Sequence, residues 1–377
     1  MTTVRLLKNG SEVFPAMVDA IDRAASSIAL EMYIFADDET GREFRSHLIA
    51  AANRGIRVMV LLDAWGAWGQ PDAVWNAFRH AGGTVRWFQP IKRGLLPFRN
   101  HRKLLLVDDR IAYVGGLNVA NEYYRGRDGE PPWRDNALEI TGVEVARLRR
   151  SFTRMWARAE RPLKRRILRF RRVWSARGRA VPTRRVRFLE SGPEDPLRPL
   201  RGVFRQIIHD AGRSIDLAMS YFCPPFRVLW ALRRAVKRGV RVRLLFPEKS
   251  DIPLARWAAR GLYGRLLRAG MEVWEYRAAM LHSKLAIADD TVLTGSANLD
   301  IRSARINYEL MAAVSDRDVA AKARSDFDSD LKDAVPIRLE DWRNRPFLQK
   351  LKERISYWLL ARADVVISRL ALWRRIG

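Results

Sequence analysis

The chain has 377 residues, 48 % of them hydrophobic, with a formal net charge of +27 and a pI near 11.1, which suits two ordinary domains and a polyanionic partner, either nucleic acid or an anionic membrane. The single cysteine, Cys223, excludes an intramolecular disulfide, and no Cys/His cluster has zinc spacing, so no metal and no other cofactor is expected. The opening MTTVRLLKNGSEVF lacks an apolar signal core, and no uninterrupted apolar run reaches the ~18 residues of a spanning helix; a soluble or peripherally bound protein made in the cytoplasm is expected.

In chain order, IALEMYIF (28–35) reads as a buried strand. Thr40 to Arg54 follows as a helix, with Phe44, Leu48, Ile49 and Ala52 at helical spacing. Strand VMVLL (58–62), a helix through VWNAFRHAG (74–82) and strand TVRWF (84–88) come next, and the glycines at 55, 82 and 83 suit helix stops. Apolar strands alternating with helices imply a mainly parallel sheet covered on both faces. KLLLVDD and RIAYVGG (103–116) then read as a hairpin turning at Asp109-Arg110.

The same series returns in the second half. SSIALEMYIF matches RSIDLAMSYF, NRGIRVMVLLD matches KRGVRVRLLFP, and HAGGTVRWF matches RAGMEVWEY, all in one order. Ile28 and Ile215 lie 187 residues apart, whereas His101 and His282 lie 181 apart, so the first half carries a short insertion in QPIKRGLLPFRN (89–100). One α/β unit is therefore duplicated, and the copies are expected to pack about a pseudo-twofold axis. We place the first domain at 1–142, a basic amphipathic linker at 143–184, the second domain at 185–334 and a membrane-interacting tail at 335–377.

The chemistry concentrates in HRKLLLVDDRIAYVGGLNVANE (101–122) and its echo HSKLAIADDTVLTGSANLD (282–300). Side chains two apart on a strand share a face, so His101 projects with Lys103 and His282 with Lys284. A lone His-x-Lys is an ordinary strand end, but duplication across a pseudo-twofold gathers both pairs into one pocket with Asn118 and Asn298 beside them. Lysines and amides suit phosphate oxygens. Two histidines suit an in-line displacement at phosphorus, one attacking and the other protonating the leaving alkoxide. Their protonation must then differ, which nearby carboxylates can arrange.

Both segments match H-x-K-x(4)-D-x(6)-G-[GS]-x-N, and on them the chain resembles the phospholipase D superfamily. YIFADDETG (33–41), WRDNALEITG (133–142), SYFCPP (220–225), SANLDIRS (296–303) and NYEL (307–310) are similar to bacterial cardiolipin synthases, in the short form without N-terminal transmembrane helices. The resemblance implies two tandem α-β-α sandwich domains of the phospholipase D type. It counts His101, Lys103, Asp108, His282, Lys284 and Asp289 as the catalytic motif set. His101 would form a phosphohistidine and His282 act as acid and then base, with the reverse assignment open. Lys103, Lys284, Asn118 and Asn298 would grip the phosphate, and Asp135 and Glu309 would each orient a histidine. Asp108 and Asp289 would support the hairpins, turned away from phosphorus. The implied reaction moves a phosphatidyl group between glycerophospholipids, turning phosphatidylglycerol into cardiolipin and glycerol.

Features outside the motifs bear on the substrate. Val145 to Phe188 interleaves arginines with Phe152, Trp156, Ile167, Leu168, Phe170 and Trp174, which suits either a membrane interface or a helix packing its aromatic stripe on a domain. The tail ISYWLLARADVVISRLALWRRIG gathers Ile355, Leu359, Val366, Leu370 and Trp373 on one helical face, for a bilayer or for the core. KRGLLPFR (92–99) places Leu95, Leu96 and Phe98 near the site. Tyr33 and Tyr221 either line a substrate channel or fill the core, and Cys223 reads as a packed thiol. The expected partners are an anionic phospholipid membrane and phospholipid substrates, reached peripherally at the cytoplasmic face of the cell inner membrane. Nucleic acid is the disfavoured partner; the alternative function is a metal-independent nuclease or other phosphodiesterase. The oligomeric state is left open, because the pseudo-twofold completes the pocket within one chain.

Overall fold

A computed structural model describes residues 2–89, 98–160, 185–193, 199–300, 302–303 and 306–363. Most of the insertion before His101, the linker from 161 to 184 and the tail beyond 363 lie outside the described residues, and with them the expected membrane contacts of Leu95, Leu96, Ile167, Leu168, Phe170, Trp174, Val366, Leu370 and Trp373.

The first sheet holds β1 (Thr3–Lys8), β2 (Ser27–Met32), β3 (Arg57–Asp63), β4 (Thr84–Phe88), β5 (Leu104–Val107), β6 (Ile111–Gly115) and β7 (Asn136–Thr141), in the order β1-β7-β6-β5-β2-β3-β4. The second holds β8 (Val186–Ser191), β9 (Ser214–Met219), β10 (Arg241–Pro247), β11 (Glu272–Tyr276), β12 (Lys284–Ala288), β13 (Thr291–Gly295), β14 (Glu309–Ser315) and β15 (Ala334–Pro336). Its order, β15-β11-β10-β9-β12-β13-β14-β8, repeats the first with an added edge strand. The expectation of a mainly parallel sheet is corrected: only β2-β3-β4 and β9-β10-β11 run parallel. The motif strands carry the difference, since a three-residue turn (108–110) makes β5 and β6 a hairpin, and the pairs from β2 through β5, β6 and β7 to β1 are all antiparallel.

The helices are α1 (Asn9–Asp22), α2 (Glu39–Asn53), α3 (Asn76–His80), α4 (Asn121–Tyr124), α5 (Val145–Glu160), α6 (Pro199–Asp210), α7 (Phe226–Lys237), α8 (Pro253–Arg268), α9 (Arg317–Lys332), α10 (Leu339–Arg343) and α11 (Phe347–Trp358). Helix α2 begins where Asp38 accepts the Gly41 amide at 2.9 Å, and Phe44 and Leu48 bury its inner face. The stretch expected as one helix at 74–82 splits into a 3₁₀ turn (Asp72–Trp75) and the short α3.

Strand alternation divides the apolar residues between layers. Ile28, Leu30, Leu105 and Val107 face outward into a core closed by α1 and α2. Ala29, Leu61, Leu104 and Leu106 face inward, where they meet Leu285, Ile287, Val292 and Leu310 of the second sheet. The two halves thus share a central core, and α5 and α9 fill the rest of it. Of the two readings left open for the linker, packing holds for its first part: Phe152 and Trp156 are buried on α5, with the Arg86 guanidinium 4.1 Å from the Trp156 ring. In the tail, α11 lies on α8, where the backbone of Glu353 approaches Gly261. Ile355 and Leu359 are exposed.

A buried ion pair ties the halves together. The Arg134 Nε donates to both oxygens of Asp330 on α9, at 3.0 and 2.8 Å, and Lys8 adds a contact at 3.1 Å. Asp330→Ala would strand a guanidinium that is 1 % exposed, so a loss of about 3–5 kcal/mol is expected in urea unfolding. A loss below about 1 kcal/mol would show that the pair is dispensable.

Candidate active site

The pocket forms where the ends of four chain segments cross between halves. The His101 amide donates to the Tyr308 carbonyl at 3.0 Å, and the Tyr308 amide donates to the Arg99 carbonyl at 2.8 Å. The other side repeats this: the His282 amide donates to Arg134 at 2.8 Å, and the Arg134 amide to Met280 at 2.9 Å. Each histidine is therefore held by the residue that precedes a carboxylate of the opposite half. The side chains follow the same crossing, with His101 Nδ1 at 3.1 Å from Glu309 and His282 Nδ1 at 2.7 Å from Asp135. A carboxylate at Nδ1 holds the proton there and leaves the lone pair on Nε2.

Each lysine stands over its own histidine. Lys103 Nζ donates to the His101 carbonyl at 2.6 Å, and Lys284 Nζ lies 2.7 Å from His282 Nδ1 and also bonds the His282 carbonyl. The Asn118 amide oxygen accepts from the Ile34 amide at 3.1 Å while its Nδ2 donates to the Tyr123 hydroxyl at 2.7 Å. Asn298 accepts from Ser220 at 2.7 Å. Both asparagines are buried beside the pocket, with their oxygens spent on fixing its walls.

Asp108 and Asp289, although part of the motif, lie apart from this group. They occupy the β5-β6 and β12-β13 turns, at the other end of the motif strands. Asp108 accepts from the Ala25, Ser26 and Ser27 amides and from the Ser26 hydroxyl, at 2.7–2.9 Å. Asp289 accepts from the Gly212, Arg213 and Ser214 amides. At positive φ (52° and 47°) each turns its carboxylate back onto the loop that feeds the central strand. Asp108→Ala would release three backbone donors, and a stability loss of about 2–3 kcal/mol by chemical denaturation is expected. An unchanged midpoint would refute the supporting role.

The Gly-[GS] step of the motif also acquires a physical meaning. Ser296 donates to Glu309 at 2.5 Å. Gly116, its counterpart, packs against Asp135 so closely that a Cβ would lie 2.4 Å from a carboxylate oxygen. Tyr33 sets its ring edge-on to His101, with centroids 4.9 Å apart, and Tyr221 does so to His282 at 6.5 Å, so both tyrosines line the pocket. Spacing alone did not reveal Tyr123 and Trp133, whose rings lie 5.2 and 5.4 Å from that of His282. For Tyr123 the available signal was NEYY, which starts three residues after the motif asparagine Asn118 and forms α4. Asp251, which accepts from the Tyr221 hydroxyl at 2.7 Å, carried none.

The halves differ beneath the histidines. Under His101 lies a buried polar layer in which Asp63 accepts the Asn100 amide and the Asn100 side chain donates to Glu31, each at 2.8 Å. Burial pushes Asp63 up to about 6, against the pull of Arg99. The paired segments of the second half place Ala218, Pro247 and Leu281 at the positions of Glu31, Asp63 and Asn100.

Burial and then the neighbouring lysine hold both imidazoles neutral; His101 is shifted down and His282 falls to about 4. Burial likewise lowers Lys103 to about 7, despite Glu309, and Lys284 to about 8, despite Asp135. Burial alone would raise Glu309, but His101 and Lys103 outweigh it and keep the carboxyl below its usual range. An anion in the pocket restores charge to the lysines, so its binding takes up protons. Affinity for inorganic phosphate should therefore fall as pH rises above about 8, toward the ordinary lysine range. Calorimetry near that pH, in two buffers of unlike ionisation heat, is expected to show net proton uptake; none would contradict the neutral lysines.

A duplicated fold that meets itself through crossed histidine–carboxylate pairs defines a phospholipase D-like protein. The family model described as "Cardiolipin synthase, PLD-like domain" matches residues 17–156 and 204–331. A cardiolipin synthase of Geobacillus sp. (strain WCH70) is 33 % identical over 94 % of this chain and 71 % of its own length. Cardiolipin synthase A of Pseudomonas putida is 35 % identical over 94 % of this chain and 73 % of its own length. In fold, the chain is similar to phosphatidylserine synthase of Haemophilus influenzae Rd KW20, with a TM-score of 0.75 at 16 % identity over 97 % of this chain and 94 % of that one. The chain belongs to the cardiolipin synthase family of phospholipase D-like enzymes, which are phosphatidyltransferases. Among the described residues, no helix is long and apolar enough to cross a membrane.

Proposed function

We propose that the protein condenses two phosphatidylglycerol molecules into cardiolipin and glycerol through a phosphohistidine, working peripherally at the cytoplasmic face of the inner membrane. The crossed pairing of His101 with Glu309 and His282 with Asp135 carries this reading, because it supplies two imidazoles with Nε2 as the reactive atom. His101 Nε2 attacks phosphorus as the bond to the glycerol oxygen breaks, and His282 gives that oxygen a proton. The bound phosphodiester anion provides for this proton by drawing His282 and the lysines toward their charged forms. The Tyr123 hydroxyl, 3.4 Å from His282 Nε2, accepts from the protonated ring and favours His282 as the acid. In the second step His282 takes the proton of the acceptor hydroxyl, whose oxygen displaces His101 from phosphorus. Lys103, Lys284, Asn118 and Asn298 hold the non-bridging oxygens. The relatives' names support the lipid product, and the charge of +27 supports an anionic surface.

Lipid mass spectrometry of a host lacking its own synthases provides the test. Wild type should restore cardiolipin, while His101→Ala and His282→Ala should restore none and keep the wild-type circular dichroism and melting temperature. A wild type that makes no cardiolipin there, yet cuts plasmid DNA in the presence of chelator, would replace this reading with the nuclease.

A further inference from the structure

Twelve large hydrophobic side chains stand exposed among the described residues, and their distribution is uneven. Six lie on α11 and its continuation through Leu359, and Val143 is isolated. The other five are Trp65, Trp68, Phe226, Trp230 and Ile252, at 44, 61, 77, 48 and 45 % exposure. All five follow the carboxyl ends of parallel strands: the tryptophans 65 and 68 follow β3, Phe226 and Trp230 open α7 after β9, and Ile252 follows β10. Those strand ends are also where the pocket lies. Tyr33 after β2 touches His101, Asp63 at the end of β3 accepts the Asn100 amide, and Tyr221 after β9 faces His282 and bonds Asp251.

Local geometry fixes these side chains close to the chemistry. The Trp65 and Gly66 amides both donate to Asp63, and a Cβ at Gly66 would lie 2.1 Å from the Tyr33 carbonyl oxygen, so the tryptophan loop is stacked directly on the wall of the His101 side. The Trp65 and Trp68 rings lie 5.1 Å apart and support each other while exposed. On the other side, the Cys223 amide donates to the Leu299 carbonyl, next to Asn298, and Phe226 follows three residues later. An exposed arginine accompanies one pair of rings, with the Arg234 guanidinium 4.6 Å from Trp230, while the buried Arg99, paired with Asp63, backs Trp65 from beneath at 5.5 Å. A soluble surface gains nothing from five such groups around one mouth. Exposed indole rings with a guanidinium beside them match the headgroup layer of a phospholipid bilayer, where rings meet the glycerol region and arginine meets phosphate.

We infer that Trp65, Trp68, Phe226, Trp230 and Ile252 form an interfacial ring that seats the pocket mouth on a phospholipid bilayer, so that a lipid headgroup rises into the site without its acyl chains leaving the membrane. The ring draws on both halves, and the pseudo-twofold that assembles the pocket also assembles its seat. The choice of lipid rests on the proposed function; the presence of the seat does not.

The test uses the full chain and two double variants, Trp65→Ala/Trp68→Ala and Phe226→Ala/Trp230→Ala. Sedimentation with phosphatidylglycerol/phosphatidylcholine vesicles at high salt, which screens the basic linker and tail, reads apolar seating alone. Each double variant should need about tenfold more lipid for half-binding and lose vesicle turnover in proportion. Turnover of short-chain phosphatidylglycerol below its micelle concentration should stay within about twofold of wild type. Unchanged vesicle binding in both variants overturns the ring. So does a loss of single-stranded oligonucleotide binding, or a change in sedimentation coefficient, with vesicle binding intact, since the rings would then stack bases or cover a second copy of the chain. A wild type that binds vesicles but turns over neither lipid form defeats the proposed function and leaves the ring standing.

Discussion

Everything in this molecule depends on an exchange between its halves. The backbone of each histidine is bonded to the residue that precedes the other half's carboxylate, and each imidazole then meets that carboxylate. Neither half alone holds a histidine with its partner. The central core enforces the exchange, because two sheets sharing one apolar layer cannot shift without breaking it. The buried Arg134–Asp330 pair sits beside this junction and locks its register from the flank.

Energetics and chemistry meet in the burial of the motif. Water exclusion is what lowers the lysines and histidines, and it leaves the free pocket with less positive charge than its composition suggests. In the mechanism we propose, a phosphodiester would supply the missing charge balance, so that binding it and arming the acid become one event. The cost falls on the scaffold, which must hold four titratable side chains in place without their preferred solvation. Asp108 and Asp289 belong to that scaffold. By capping the loops before β2 and β9, they fix the strands against which the motif strands are registered.

Pseudo-symmetry extends to the backbone more than to the environment. Under His101 lie Asp63, Asn100 and Glu31, whereas the matching positions of the second half carry small or apolar residues. The loops after the equivalent strands differ as well, one bearing Trp65 and Trp68 and the other Asp251 and Ile252. The two histidines therefore sit in unlike surroundings, which is what the two-step displacement we propose would require of them.

Much of this was legible in the chain itself. The repeat, the two His-x-Lys pairs, the α2 helix and the hairpin at 103–116 follow from local spacing, since strand and helix periods are properties of consecutive residues. The strand directions were misjudged because apolar runs report burial without reporting sense. Phe152 and Trp156 were ambiguous because an arginine-rich amphipathic helix fits a membrane and a core equally well until its neighbour is known. Sequence by itself determined that the His-x-Lys segments come twice, in one order, within a duplicated α/β unit. Only the tertiary structure decided which carboxylate meets which histidine, in which direction burial shifts them, and which large apolar side chains stay exposed. Those depend on segments more than 140 residues apart, such as Asp135 and His282, and no local period encodes a contact made across a shared core.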